Sequence, residues 1–156
     1  MRSNLVRFVH GQITAKSFVI SSHLWLEHLL IRSLFAKLPN PDALFKDRPL
    51  GFQSLVTLNE ALGIIEPKLA GALHLVNTMR NKCAHHARYK PLETDFQAMH
   101  AMLTSLGEAL PAFDPDEWGG PLEIVAELLE HRARAIGATD VEALLPEDDG
   151  LDAHFP

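Results

Sequence analysis

Between Leu75 and Arg88 the chain reads LVNTMRNKCAHHAR, and here Arg80, Asn81, Lys82, Cys83, His85 and His86 crowd into a few positions. An Arg guanidinium is permanently charged and grips phosphate oxygens with two parallel hydrogen bonds. A His ring titrates near neutrality and takes or gives the proton of a ribose 2′-hydroxyl. Two such groups suffice, without a metal, for internal cleavage of RNA: the cation lowers the cost of charge on the crowded phosphorane and the imidazole handles the proton. Arg80 and His85 are the candidate pair, with Asn81 as the polar group beside them and Lys82, His86 and Arg88 as candidate substrate contacts. One copy supplies a single proton-transfer residue, so a symmetric dimer that juxtaposes two such segments makes better chemical sense.

The same residues also fit a plainer role. Cations in the last turn of a helix complement its macrodipole, worth about 0.3 to 1 kcal/mol each, and non-catalytic ligand binding is a third use for them. Spacing bears on the choice. On an unbroken helix a five-residue offset sets Arg80 and His85 about 140° apart, whereas Asn81 and His85, at i and i+4, share a face. Curling of the long Arg side chain, or a helix that loosens after Cys83, would bring the pair together.

The elements that must position these residues are read from apolar spacing. Ser17 to Leu38 carries Phe18, Leu24, Leu26, Leu29, Leu30, Leu34, Phe35 and Leu38 mostly at three-to-four spacing, which predicts a long core helix. Ile20, Trp25 and Ile31 lie off that stripe and suggest a second contact surface. Pro39, Pro41 and Pro49 mark a connection with one helical turn at residues 42–45. Phe52, Leu55, Leu58 and Leu62 predict the next helix, with Gly63 at its left-handed C′ position and Ile64-Ile65 as an apolar elbow. Pro67 opens a helix whose core face is Leu69, Leu73, Val76 and Met79, and this helix leads into the Arg80 stretch.

Further on, Pro91 starts a helix reaching about Leu110, with Leu92, Phe96, Met99, Leu103 and Leu106 on one stripe. A Pro-, Gly- and Asp-rich loop from Pro111 to Pro121 isolates Trp118, expected as a lid over the bundle end. Leu122 to Ile136 forms another helix, closed by Gly137. Thr139 and Glu142 have capping-box spacing for a short helix at 140–145. A short N-terminal helix ending near Gly11 is also expected. No run alternates with period two for long enough to make a strand, so the predicted class is all-α, a bundle of five to six helices. One domain is expected over residues 1–145, followed by an acidic C-terminal tail at 146–156.

Composition narrows the functional classes. The 156 residues carry a formal net charge of −6 and nine His. Such a protein lacks global attraction to nucleic acid, so RNA would have to be met by a local patch, here Arg80 to Lys90. Cys83 is the sole cysteine, which excludes an intramolecular disulfide framework and a multi-Cys zinc site. It is expected as a buried small hydrophobe rather than a nucleophile. His23, His28, His100 and His131 are expected as scattered surface residues, with no metal or cofactor. Glu27, on an apolar helix, is either a flank residue or the buried partner of Arg32 or Arg80. No segment reads as a signal peptide or membrane span, so a cytoplasmic protein is expected.

The segment Arg80-Asn81-Lys82-Cys83-Ala84-His85 resembles the Arg-x(4–6)-His motif, often R-N-x-x-A-H, of the HEPN superfamily of α-helical proteins. Arg48 to Phe52 together with Leu58 to Ile65 (LNEALGII) looks like the corresponding part of mannitol-operon-repressor-like members, and Ser17 to Leu38, with Leu26-Glu27, is similar to their first long helix. The resemblance spans roughly residues 17–107. It implies a helical-bundle homodimer with the motif near the subunit interface. In active members the Arg and His serve metal-independent RNA cleavage and the polar residue after the Arg supports them, which would assign those roles to Arg80, His85 and Asn81. A ribonuclease of toxin or defence type, with RNA as substrate and an antitoxin as protein partner, is one expectation. A non-catalytic regulator acting through a protein partner is the other. No helix-turn-helix with a basic recognition helix is present in the sequence to support direct DNA binding.

Overall fold

The computed structural model describes residues 14–107, 110, 112 and 119–138. Those residues form an all-α bundle of six helices without strands: α1 (Ala15–Lys37), α2 (Asp42–Phe45), α3 (Phe52–Ala61), α4 (Pro67–His85), α5 (Glu93–Thr104) and α6 (Gly120–Ala135). The expected N-terminal helix, the Trp118 loop, the helix at 140–145 and the acidic tail lie outside the described residues.

α1 is the central element and packs against α6, α4 and α3, while α4 also meets α5 and α6. It begins two residues earlier than its apolar spacing suggests, because Thr14 caps it by accepting the Ser17 N–H at 3.1 Å. Val19, Leu26, Leu29, Leu30 and Leu34 are fully buried, and so is Trp25, which lies off the main stripe. The Trp25 indole N–H donates to Glu130 Oε1 at 3.2 Å, so α6 takes up this second side of the helix. Two residues assigned to the core stripe are instead exposed, Leu24 at 50% and Phe35 at 39%. Phe35 stacks on Phe45 of α2, which covers only part of it. The apolar character of α1 extends further round the helix than its neighbours do.

The elbow between α3 and α4 follows its residue chemistry. Gly63 adopts φ +69°, as a left-handed C′ position requires. The Ile64 and Ile65 N–H groups both turn back to the Asn59 carbonyl, which buries the two side chains. Asn59 is itself buried and donates from Nδ2 to the Leu30 and Leu55 carbonyls, tying the elbow to α1. Pro67 then begins α4. Its predicted core face, Leu69, Leu73, Val76 and Met79, is fully buried. Gly71 lets α5 come close, since a Cβ there would lie 3.1 Å from Met102 Sδ.

The last two helices shift relative to their spacing. α5 starts after Leu92, not at Pro91, because Asp95 accepts the Leu92 N–H at 3.0 Å. Leu92, expected on the core stripe, is consequently 58% exposed. The helix also ends at Thr104, short of Leu110. α6 begins at Gly120, with Pro121 in its first turn, two residues before Leu122. Gly137 closes it at φ +85°. No helix of the described residues is long and apolar enough to cross a membrane.

Candidate functional site

α4 carries the motif because its core face runs without interruption from Leu69 to Cys83. The helix does not loosen after Cys83: it continues through His85, and the His86 N–H caps it on the Lys82 carbonyl at 3.0 Å. Arg80 and His85 therefore remain about 140° apart around the axis, and one copy does not bring them together. Asn81 and His85 do share a face, and both are exposed. Arg80 is half-buried and donates from Nη1 to Asn81 Oδ1 at 3.1 Å. Arginine and asparagine are thus joined, with His85 one turn beyond the asparagine.

The predicted substrate contacts lie on the flank and beyond the helix end. Lys82 is exposed, its Nζ 5.6 Å from the centroid of the Tyr89 ring. His86 and Arg88 are exposed in the turn that follows. That turn is held by Tyr89, whose hydroxyl donates to Asp95 Oδ2 at 2.8 Å and so anchors it to the start of α5. Burial and the Asp95 carboxylate together push the Tyr89 phenol well above its ordinary value, keeping it a neutral donor. Arg80, Lys82, His85, His86 and Arg88 form no ion pair with any described residue. Cys83 is buried, as expected, and burial raises its thiol above the usual range.

Two residues belong to this face that spacing alone did not put there. His23 of α1 is 4% exposed and not a surface residue. Its ring stacks on Phe52 at 4.1 Å, and its Nε2 lies 3.1 Å from Asn77 Oδ1, one turn before Arg80. Burial holds the imidazole below the ordinary 6.5, the Asn77 hydrogen bond opposes this, and the Arg80 charge depresses it further. A signal for both was present in the residues. His23 lies four residues after the apolar Val19 and three before Leu26, at helical spacing to both, and Asn77 precedes Asn81 and His85 at i, i+4 and i+8.

His28, also expected at the surface, is half-buried, its Nε2 without a partner and its ring held below 6.5 by burial and then by Arg32. Glu27 takes the flank position of its two expected places, half-exposed and with no ion pair to a described residue. Among the described residues no three His, Cys, Asp or Glu side chains gather as metal ligands would. An open groove of about 720 Å³ lies instead at the elbow, lined by Glu60, Ile64, Ile65 and the Glu66–Arg132 ion pair. It holds none of the motif residues and sits roughly 20 Å from Arg80 along α4, at 1.5 Å per residue.

Comparison with known proteins returned no match among family models, curated proteins or solved structures.

Proposed function

We propose that this protein is a HEPN-like, metal-independent endoribonuclease acting as a homodimer, with Arg80, Asn81 and His85 as its catalytic set and Lys82, His86 and Arg88 on the RNA backbone. The observation that carries this reading is the unspent state of the α4 end. Its cations pair with no described carboxylate, and Asn81 and His85 stand side by side on an intact, exposed turn. A cation without an internal counter-ion is available to an external anion. Because Arg80 and His85 diverge within one copy, the pairing is made between copies: the guanidinium of one holds the scissile phosphate within reach of the imidazole of the other.

Cleavage then proceeds by transesterification. One His85 removes the 2′-hydroxyl proton, the 2′-oxygen attacks phosphorus, and the P–O5′ bond breaks. The partner copy's imidazolium gives its proton to the leaving 5′-oxygen, leaving a 2′,3′-cyclic phosphate and a 5′-hydroxyl. No cofactor enters the balance. Purified protein is expected to cut single-stranded RNA in EDTA and to lose that activity in Arg80→Ala and His85→Ala. Absence of cutting by the unaltered protein, or undiminished cutting by both variants, would refute the assignment.

A second reading is a non-catalytic regulator that works by binding a partner protein. It is favoured by the α1 surface, where Leu24 and Phe35 are exposed and Ile20 and Ile31 half-exposed, a face suited to a protein contact. A stoichiometric partner whose capture is lost in Leu24→Glu, together with no RNA cleavage, would select it.

A further inference from the structure

The seam between α1 and α4 contains an orientation problem with one good solution. His23 Nε2 faces Asn77 Oδ1 at 3.1 Å, while Nδ1 is buried without a partner. With the proton on Nδ1, an N–H would be buried unpaired, and the Asn77 carboxamide would have to present Nδ2 in place of Oδ1 to avoid two facing acceptors. With the proton on Nε2, that N–H donates to Asn77 Oδ1 and the atom left alone is only an acceptor. Buried unpaired acceptors are tolerated better than buried unpaired N–H groups, so the second tautomer holds. A doubly protonated ring is opposed by the burial and by the Arg80 charge.

With its Oδ1 engaged by His23, Asn77 has its NH2 group turned away from the ring. Nδ2 donates to no described residue, yet it is not among the buried unpartnered atoms, so it keeps solvent access. Asn77 is one turn before Arg80 and Asn81, hence beside both on the helix surface. Arg80 commits Nη1 to Asn81 and has further guanidinium donors. Two donors of different kind, one amide and one guanidinium, thus lie side by side at the mouth of the seam.

We propose that Asn77 and Arg80 form a clamp for a phosphate oxygen, with His23 as the positioning residue that keeps the Asn77 carboxamide turned outward. The proposal rests on the reading of this face as an RNA-backbone site and adds to it a residue outside the Arg80–His85 segment. The two donors differ in a measurable way. Arg80 releases counterions on binding RNA and so contributes to the salt dependence of affinity, whereas a neutral amide contributes through geometry and leaves that slope unchanged.

The test uses the full chain, labelled with 15N, and inorganic phosphate as probe. Phosphate is expected to move the Asn77 side-chain NH2 resonances, and Arg80→Ala to abolish the movement. His23→Gln, whose amide still donates to Asn77, should retain the response. His23→Leu should lose it and weaken binding of a short single-stranded RNA about 3- to 10-fold at an unchanged salt slope. Asn77→Asp, which keeps the acceptor for His23 and removes the donor, should weaken RNA binding at least as much. If Asn77→Asp does not fold, the phosphate titration of the unaltered protein decides. Stationary Asn77 resonances, with RNA binding lost only in Arg80→Ala, would overturn the clamp and leave the RNA reading standing. A phosphate response at Asn77 in a protein that does not bind RNA would support the clamp and overturn the RNA reading.

Discussion

At the scale of single residues, the candidate site combines side chains whose types single them out with others whose spacing carries a signal that their type obscures. Arg80, Asn81 and His85 are legible because their types are unusual together, but His23 was hidden by its type: a histidine reads as polar until its place on the buried side of α1 is seen. The chemistry proposed for Arg80 requires a planar fork and not merely a charge. Arg80→Lys is therefore expected to keep most RNA binding while cutting at least tenfold more slowly, and Arg80→Ala to lose about 10²- to 10³-fold in rate; single-turnover kinetics separate the two effects. Equal losses of binding and rate in Arg80→Lys would point to simple charge attraction. Cys83 offers a control outside that chemistry. Its buried thiol, raised above 9.0, is predicted to resist alkylation by iodoacetamide in the native protein and to react once the chain is unfolded in urea. Rapid labelling of native protein would show that the thiol is accessible after all.

At the scale of elements, the helices and the elbow were readable where a local rule and the tertiary environment agree. Pro67 as a helix start, Gly63 and Gly137 as left-handed ends, and the buried stripe of α4 follow from backbone freedom and period alone. The ends of α1, α5 and α6 moved by a few residues because a cap, at Thr14 or Asp95, or a proline in the first turn outweighed the apolar pattern. Leu24 and Phe35 could not be ranked against Trp25 from spacing, since α1 is apolar on nearly all sides and only the placement of α6 decides which side is covered. Two substitutions probe these joints. Gly63→Ala is expected to cost about 1 to 2 kcal/mol, the strain of a left-handed Cβ, in urea denaturation. Trp25→Phe retains the ring but withdraws the indole donor from buried Glu130, a predicted loss of about 1 to 3 kcal/mol. Wild-type stability in either would show that the joint relaxes without them.

At the scale of the whole molecule, three titrating groups pull stability in the same direction. His23 and His28 are held below 6.5 in the folded state, so the unfolded chain takes up their protons first. Their contribution is fully present above pH 6.5 and is lost as the pH falls through their lower folded values. Glu66, held below 4.5 chiefly by its hydrogen bond from Arg132, adds a second loss in stronger acid. The denaturation midpoint is therefore expected to be level between about pH 7 and 8, to decline from pH 6.5 downward, and to decline less in His23→Gln, where no titrating ring remains at that position. A midpoint independent of pH between 7 and 5 would contradict the burial assigned to these rings. What two copies do to RNA is tested most directly by a site-specific 2′-deoxy substitution. In EDTA, an all-ribose oligonucleotide should yield 2′,3′-cyclic phosphate ends, while the same oligonucleotide carrying one 2′-deoxyribose at the cut site should remain whole there. Cleavage at the deoxy position, or all-ribose products without cyclic phosphate, would contradict a mechanism in which His85 activates the 2′-hydroxyl.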